Sequence, residues 1–120
     1  MNRLVGALLM GLALSVTPAL ADMDKAAVPL KAMAGSKAES HITAGIEHYS
    51  KGHWDVAKTH FMEAAKADPK SAEAHYNLAL VLDKAGDHAG ATEHFKTALE
   101  LGKGNAEIQN SGILKKHLKM

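Results

Sequence analysis

The sequence predicts an all-α fold, an antiparallel helix-pair solenoid of two repeated units closed by a C-terminal helix. Three observations predict it. The 120 residues are 47% hydrophobic but only 4% aromatic, and alanine supplies much of the apolar count. That composition suits closely packed helices better than a sheet, which draws on β-branched and aromatic side chains. The chain also matches itself when shifted by 34 positions. Ala38-Glu39-Ser40-His41 falls on Ala72-Glu73-Ala74-His75, Gly52 on Gly86, Ala57 on Ala91, His60-Phe61 on His94-Phe95, and Ala64 on Ala98. Ala106-Glu107 begins a third unit at the same interval. Finally, each unit reads as two helical stretches about a glycine turn.

Taken in order, residues 1–21 read as a secretory signal peptide. Arg3 gives a positive start, Leu4 to Val16 is apolar and uncharged, Pro18 breaks the run, and Ala19-Leu20-Ala21 offers a small-x-small cleavage pattern. Cleavage is expected before Asp22. The apolar run falls short of the ~20 residues a spanning helix needs, so no stable membrane insertion is expected after cleavage. The mature chain is then periplasmic or secreted. Residues 22–37 hold Pro29, Gly35 and Ser36 without a clear period, and read as a linker or flexible arm.

Residues 38–71 form the first unit: a helix from Glu39 to Lys51, a turn at Gly52, and a helix from Trp54 to Ala67 ended by Asp68-Pro69. Proline cannot continue a helical ladder and restricts the residue before it. Residues 72–105 form the second. Ser71 can cap its first helix, which runs through Leu78 and Leu82 to Ala85. Gly86 turns the chain, Asp87 can cap the next helix, and that helix reaches Leu101. Residues 106–120 hold one closing helix, Ala106 to Leu118, whose Ile108, Ile113, Leu114 and Leu118 would cover the open end of the stack.

These residues resemble the tetratricopeptide-repeat family. Its pattern places Trp, Leu, Gly, Tyr, Ala, Phe, Ala and Pro at positions 4, 7, 8, 11, 20, 24, 27 and 32. The first unit supplies Gly45, Ala57, Phe61, Ala64 and Pro69, with His41, Ala44 and His48 at the other places. The second supplies Leu78, Ala91, Phe95 and Ala98, with Ala79 as a usual substitute for glycine and His75, Leu82 and Lys103 departing. The third departs most, with Gly112 and Ile113 where Leu and Gly are expected. The small alanines let helices approach, and Phe61 and Phe95 fill the space between them.

The resemblance implies a protein-interaction module whose first helices line a concave groove for a peptide or partner protein. Facing positions carried over are Glu39, Ile42, Ile46 and Tyr49, then Glu73, Tyr76, Leu80 and Asp83, with Glu107, Asn110, Leu114 and His117 from the closing helix. The expected partner-binding set is Ile42, Ile46, Tyr49, Tyr76, Asn77, Leu80, Asp83 and Leu114. These would form a solvent-facing apolar strip with acidic residues at one rim. The competing expectation is that the arm, the closing helix or a second copy covers the strip; in the last case the chain is a homo-oligomer. One subfamily grips a partner's C-terminal carboxylate, but only Asn77 of that set is present. Ile42, Ile46, Glu107 and Ser111 stand at the other places. The expected role is an exported adaptor or assembly factor.

Eight histidines raise an alternative, a His-based metal-binding or metal-handling periplasmic protein. Two ligands on one helix should be three or four residues apart, and no neighbouring pair of His41, His48, His53, His60, His75, His88, His94 and His117 is. Residues seven apart lie ~10 Å apart along a helix, too far for one ion with bonds of ~2 Å. Most of these histidines fall where the family prefers aromatics, so they read as flat packing residues with a polar tip. No metal site and no cofactor are expected.

Other function classes find little support. With Arg3 removed, 13 lysines balance 13 acidic residues, and no basic stripe exists to bind a nucleic-acid backbone. There is no cysteine, hence no disulfide, thiol chemistry or thiolate site. No nucleophile elbow, phosphate loop or HExxH motif occurs. Glu47-His48 and Asp87-His88 are sequence neighbours, which diverge on a helix. An enzyme is not expected.

Overall fold

The computed structural model describes residues 28–120, and the export segment with residues 22–27 lies outside them. Among the described residues are six helices and no strand. They are α1 (Glu39–Ser50), α2 (Trp54–Ala67), α3 (Ala72–Lys84), α4 (His88–Leu101), α5 (Ala106–Gln109) and α6 (Gly112–Leu118). The expected boundaries of the first four hold to within a residue.

Local chemistry sets those boundaries. Ser71 Oγ accepts from the Ala74 backbone N–H at 3.1 Å, and Asp87 Oδ1 accepts from that of Gly90 at 2.8 Å. Each satisfies a donor that the first turn leaves without a helical partner. Gly52 and Gly86 close the two α–α turns at φ of 77° and 90°, a left-handed conformation costly for any side chain.

The helices pair antiparallel, α1 with α2 and α3 with α4, while α2 also packs on α3 and α6 packs on α4. The seam of each pair is built as the repeat pattern predicts. Ala57, Phe61 and Ala64 in α2, and Ala91, Phe95 and Ala98 in α4, are fully buried. The Tyr76 ring meets Phe95 edge-on, with centroids 5.5 Å apart.

The closing segment differs from the single helix expected. It is two short helices, broken at Asn110–Ser111. Ser111 caps α6 by accepting from the Leu114 N–H, and its hydroxyl lies 2.6 Å from the Tyr76 hydroxyl. A serine followed by Gly112 gains more from that cap than from continuing the helix. The break lets Ile108 and Leu114 both reach the core, where each is fully buried.

Candidate functional site

The segment before α1 crosses the face made by α1 and α3. The Leu30 backbone N–H donates to Asn77 Oδ1 at 2.7 Å, and the Asn77 side-chain amide donates back to the Leu30 carbonyl at 2.7 Å. One side chain thus satisfies both polar groups of a backbone unit. Asn77 is fully buried, so water does not compete for either bond. Leu30 joins the apolar cluster that holds Tyr49, Tyr76 and Leu80. Ala32 packs on the cluster of Ala38, Ile42, Ala64 and Ala74, beside Ile46. At the far end, Ser36 Oγ donates to Asp68 Oδ2 at 3.2 Å, and the Gly35 N–H donates to Glu39 at 2.7 Å. Residues 28–37 are therefore docked along the body of the protein, not a loose arm.

This changes where the expected partner-binding residues sit. The strip is not solvent-facing. Ile42, Tyr49, Tyr76, Asn77, Leu80 and Leu114 are buried, and Ile46 and Asp83 are half-buried. Two covers account for it. The segment around Leu30 and Ala32 closes the α1 side. The closing helices take the other, through Ser111 on Tyr76 and through His117 on Asp83 at 2.9 Å. Burial pushes the Tyr49 phenol up to about 12, with Tyr76 and Asp83 adding to the shift, as expected of a phenol held in a dry face. Tyr76 is raised by burial as well.

Next to the docked segment an open cleft of about 600 Å³ remains. Met33, Asp68, Ser71, Glu73, Leu101 and Asn105 contribute to its walls. Glu73 is buried there and accepts from the Asn105 side-chain amide at 2.9 Å, so this member of the acidic rim expected from sequence is turned inward and hydrogen-bonded.

Four of the histidines stack in two pairs, His48 on His60 and His75 on His94. His75 Nε2 lies 2.9 Å from the Pro69 carbonyl, which can only accept, so that nitrogen carries the proton. A neutral His75 then presents a bare Nδ1 to His94 Nδ1, 3.1 Å away. Burial, and His75 after it, hold the His94 imidazole below its usual value. One group was not visible from spacing along single helices. Asp83, His88 and His117 come from α3, α4 and α6, and their ligand atoms lie within 4.8 Å of one another. The usable signal was the five-residue step from Asp83 to His88 across a turn, rather than any step within a helix. Of the two adjacent pairs dismissed as chemistry, Glu47 instead meets Lys51 at 3.1 Å, and Asp87 is spent as a helix cap.

The Tetratricopeptide repeat family model matches residues 42–106, and this chain belongs to that family. It is also similar to the type IV pilus assembly protein PilF of Pseudomonas aeruginosa, 30% identical over 73 residues. The match takes in 61% of this chain and 29% of that protein, so the chain spans less than a third of the relative's length. Domains of this family are typically non-catalytic interaction modules. Among the described residues, no helix is long and apolar enough to cross a membrane.

Proposed function

We propose that the chain is an exported protein-interaction module that holds an extended polypeptide segment across α1 and α3, and that it serves as an adaptor or assembly factor in the periplasm or outside the cell. The observation that carries this reading is the Asn77 clasp on Leu30. Two bonds to one backbone unit recognise a polypeptide without regard to its side chains. Ile42, Ile46 and Leu80 then supply apolar contact beside it. The chain's own residues 28–33 occupy the place a partner segment would take. Asn77, Ile42, Ile46 and Leu80 are accordingly the contact residues, with Tyr49 and Asp83 at the border, while Tyr76 and Leu114 hold the surface in shape from beneath. The similarity to a stretch of a pilus assembly protein supports an assembly role, and the export pattern at 1–21 supports the location.

A fluorescent peptide of residues 22–37 tests the reading. It is titrated into the tag-free chain from Asp22 and into a form starting at Ala38, with helix content checked by circular dichroism. The shortened form should bind at least tenfold more tightly than the longer one, about 1.4 kcal/mol. Asn77→Ala in the shortened form should remove most of that binding. Equal binding by both forms, or none by a folded shortened form, would contradict the reading.

A further inference from the structure

The Asp83, His88 and His117 cluster lies at the edge of the α1/α3 face, where two imidazoles from other helices converge on one carboxylate. Asp83 Oδ1 lies 2.7 Å from His88 Nδ1 and 2.9 Å from His117 Nε2. Both rings thus aim a nitrogen at one carboxylate oxygen. The Thr92 hydroxyl donates its single proton to the His88 carbonyl at 2.9 Å. His117 Nδ1 lies 3.0 Å from that same hydroxyl oxygen, so this contact is a hydrogen bond only if Nδ1 carries the hydrogen. A neutral His117 therefore has its lone pair on Nε2, facing the Asp83 oxygen. Two lone-pair atoms 2.9 Å apart repel, and either a shared proton or a metal cation between them relieves the repulsion.

We propose that this cation is a divalent transition metal of the zinc type, held by His88 Nδ1, His117 Nε2 and an Asp83 carboxylate oxygen. Two imidazoles and one carboxylate are a donor set suited to such an ion. Bonds of ~2.0–2.1 Å in a tetrahedral shell put ligand atoms about 3.3 Å apart, so Asp83 withdraws by about half an ångström from each ring, and the two imidazole nitrogens, within 4.8 Å of each other, settle to the same spacing. His88 has room to adjust, since its side chain is 70% exposed. His117 does not, being 13% exposed. Its ring is fixed by Thr92 on one side and by the Phe95 ring, 5.0 Å away, on another. Thr92 thereby sets the tautomer that leaves Nε2 free to bind, the usual duty of a hydrogen bond behind a metal ligand. The cluster opens onto a cavity of about 420 Å³ that Ile113 and Lys116 also line, which leaves a fourth coordination position for water or a partner's side chain. Lys116 is the charge that opposes an ion here. Because the three ligands come from α3, α4 and α6, the bound ion ties the closing helix to the turn between α3 and α4.

The test is titration of zinc ion into the tag-free chain from Asp22, followed by calorimetry and thermal melting, with cobalt(II) absorption reporting geometry. One zinc should bind per chain and raise the melting temperature, since an ion bound only by the folded state stabilises it. Cobalt(II) should give the intense visible bands of a tetrahedral site. Asp83→Asn and His88→Gln, both at least partly exposed, should each weaken binding at least tenfold with the fold intact. His53→Gln should leave affinity unchanged, and Lys116→Gln should tighten it. Thr92→Val should weaken binding at least tenfold and Thr92→Ser should restore it. Zinc binding that survives the Asp83→Asn, His88→Gln double variant would place the ion on other histidines and overturn the proposal. So would absence of binding in the wild type, most plainly if NMR then finds His117 as an imidazolium at neutral pH, the proton filling the gap instead.

Discussion

The two repeat units share one sequence pattern, yet they do different work. Ten of the thirteen residues of α3 are buried, against three of the twelve in α1. Equivalent positions show the contrast. Ile42 and Tyr76 are both buried, but Ile46 is half-buried where Leu80 is fully covered. The cause is place in the stack. The second helix of the first unit, α2, packs on one side of α3, α4 packs on another, and the closing segment and the stretch around Leu30 take much of the rest. The first unit has no neighbour before α1 among the described residues other than that stretch. A face that a repeat pattern marks as a groove can therefore be groove in one unit and core in the next. Which it becomes depends on what the chain places against it.

The largest expected effect comes from treating that shared face as core. Tyr76→Ala and Phe95→Ala should each cost ~3–5 kcal/mol, read as the shift in urea midpoint at constant slope. Ile46→Ala, on the half-covered counterpart of Leu80, should cost well under half as much. Near-equal losses at Ile46 and Tyr76 would erase the difference between the units.

A smaller effect sharpens the comparison at one position. Gly45 and Ala79 are equivalent, but a methyl on Gly45 would press into the Phe61 ring, 2.6 Å from Cδ1. In an exposed helix, Gly→Ala stabilises by ~1 kcal/mol. Here the sign should reverse, and Gly45→Ala should destabilise by ~1–3 kcal/mol through overpacking. Thermal melting with a matched Ala79→Gly variant checks it, and a stabilised Gly45→Ala protein would show that Phe61 gives way freely.

The smallest effect is pH-dependent and belongs to the second unit. The His94 imidazole is held below its ordinary value, by burial first and by His75 second. As pH falls past ~6.5, the unfolded chain takes up a proton that the folded His94 resists. The stabilisation is thus complete above that pH and is lost as pH drops toward the lowered folded value. Melting temperature should fall between pH 7.5 and 5.5, and His94→Phe should narrow that fall. An unchanged fall would assign it to other groups.

Much of this was legible in the sequence because it is local or periodic. The 34-residue shift, the glycine turns, and the Ser71 and Asp87 caps depend on residues close in the chain. The Phe61 and Phe95 seams follow from helical spacing. The break at Ser111 was harder to read, because the hydroxyl that ends α5's run also meets Tyr76, 35 positions away. The docking of Leu30 on Asn77 spans 47 positions, and nothing in a stretch containing Pro29 and Gly35 marks where it will lie. The grouping of Asp83, His88 and His117 likewise depends on how α6 packs, which spacing along one helix cannot report.

Asn77 holds a backbone segment across α1 and α3 through paired bonds to Leu30. Hydrogen exchange of the Leu30 amide measures it most directly, because that N–H donates to the Asn77 side chain. In the wild-type chain the Leu30 amide should be protected at least a hundredfold relative to an unstructured peptide. Asn77→Ala should strip that protection while amides in the core of α3 stay slow. A Leu30 amide that exchanges at the free-peptide rate in the wild type would contradict the account.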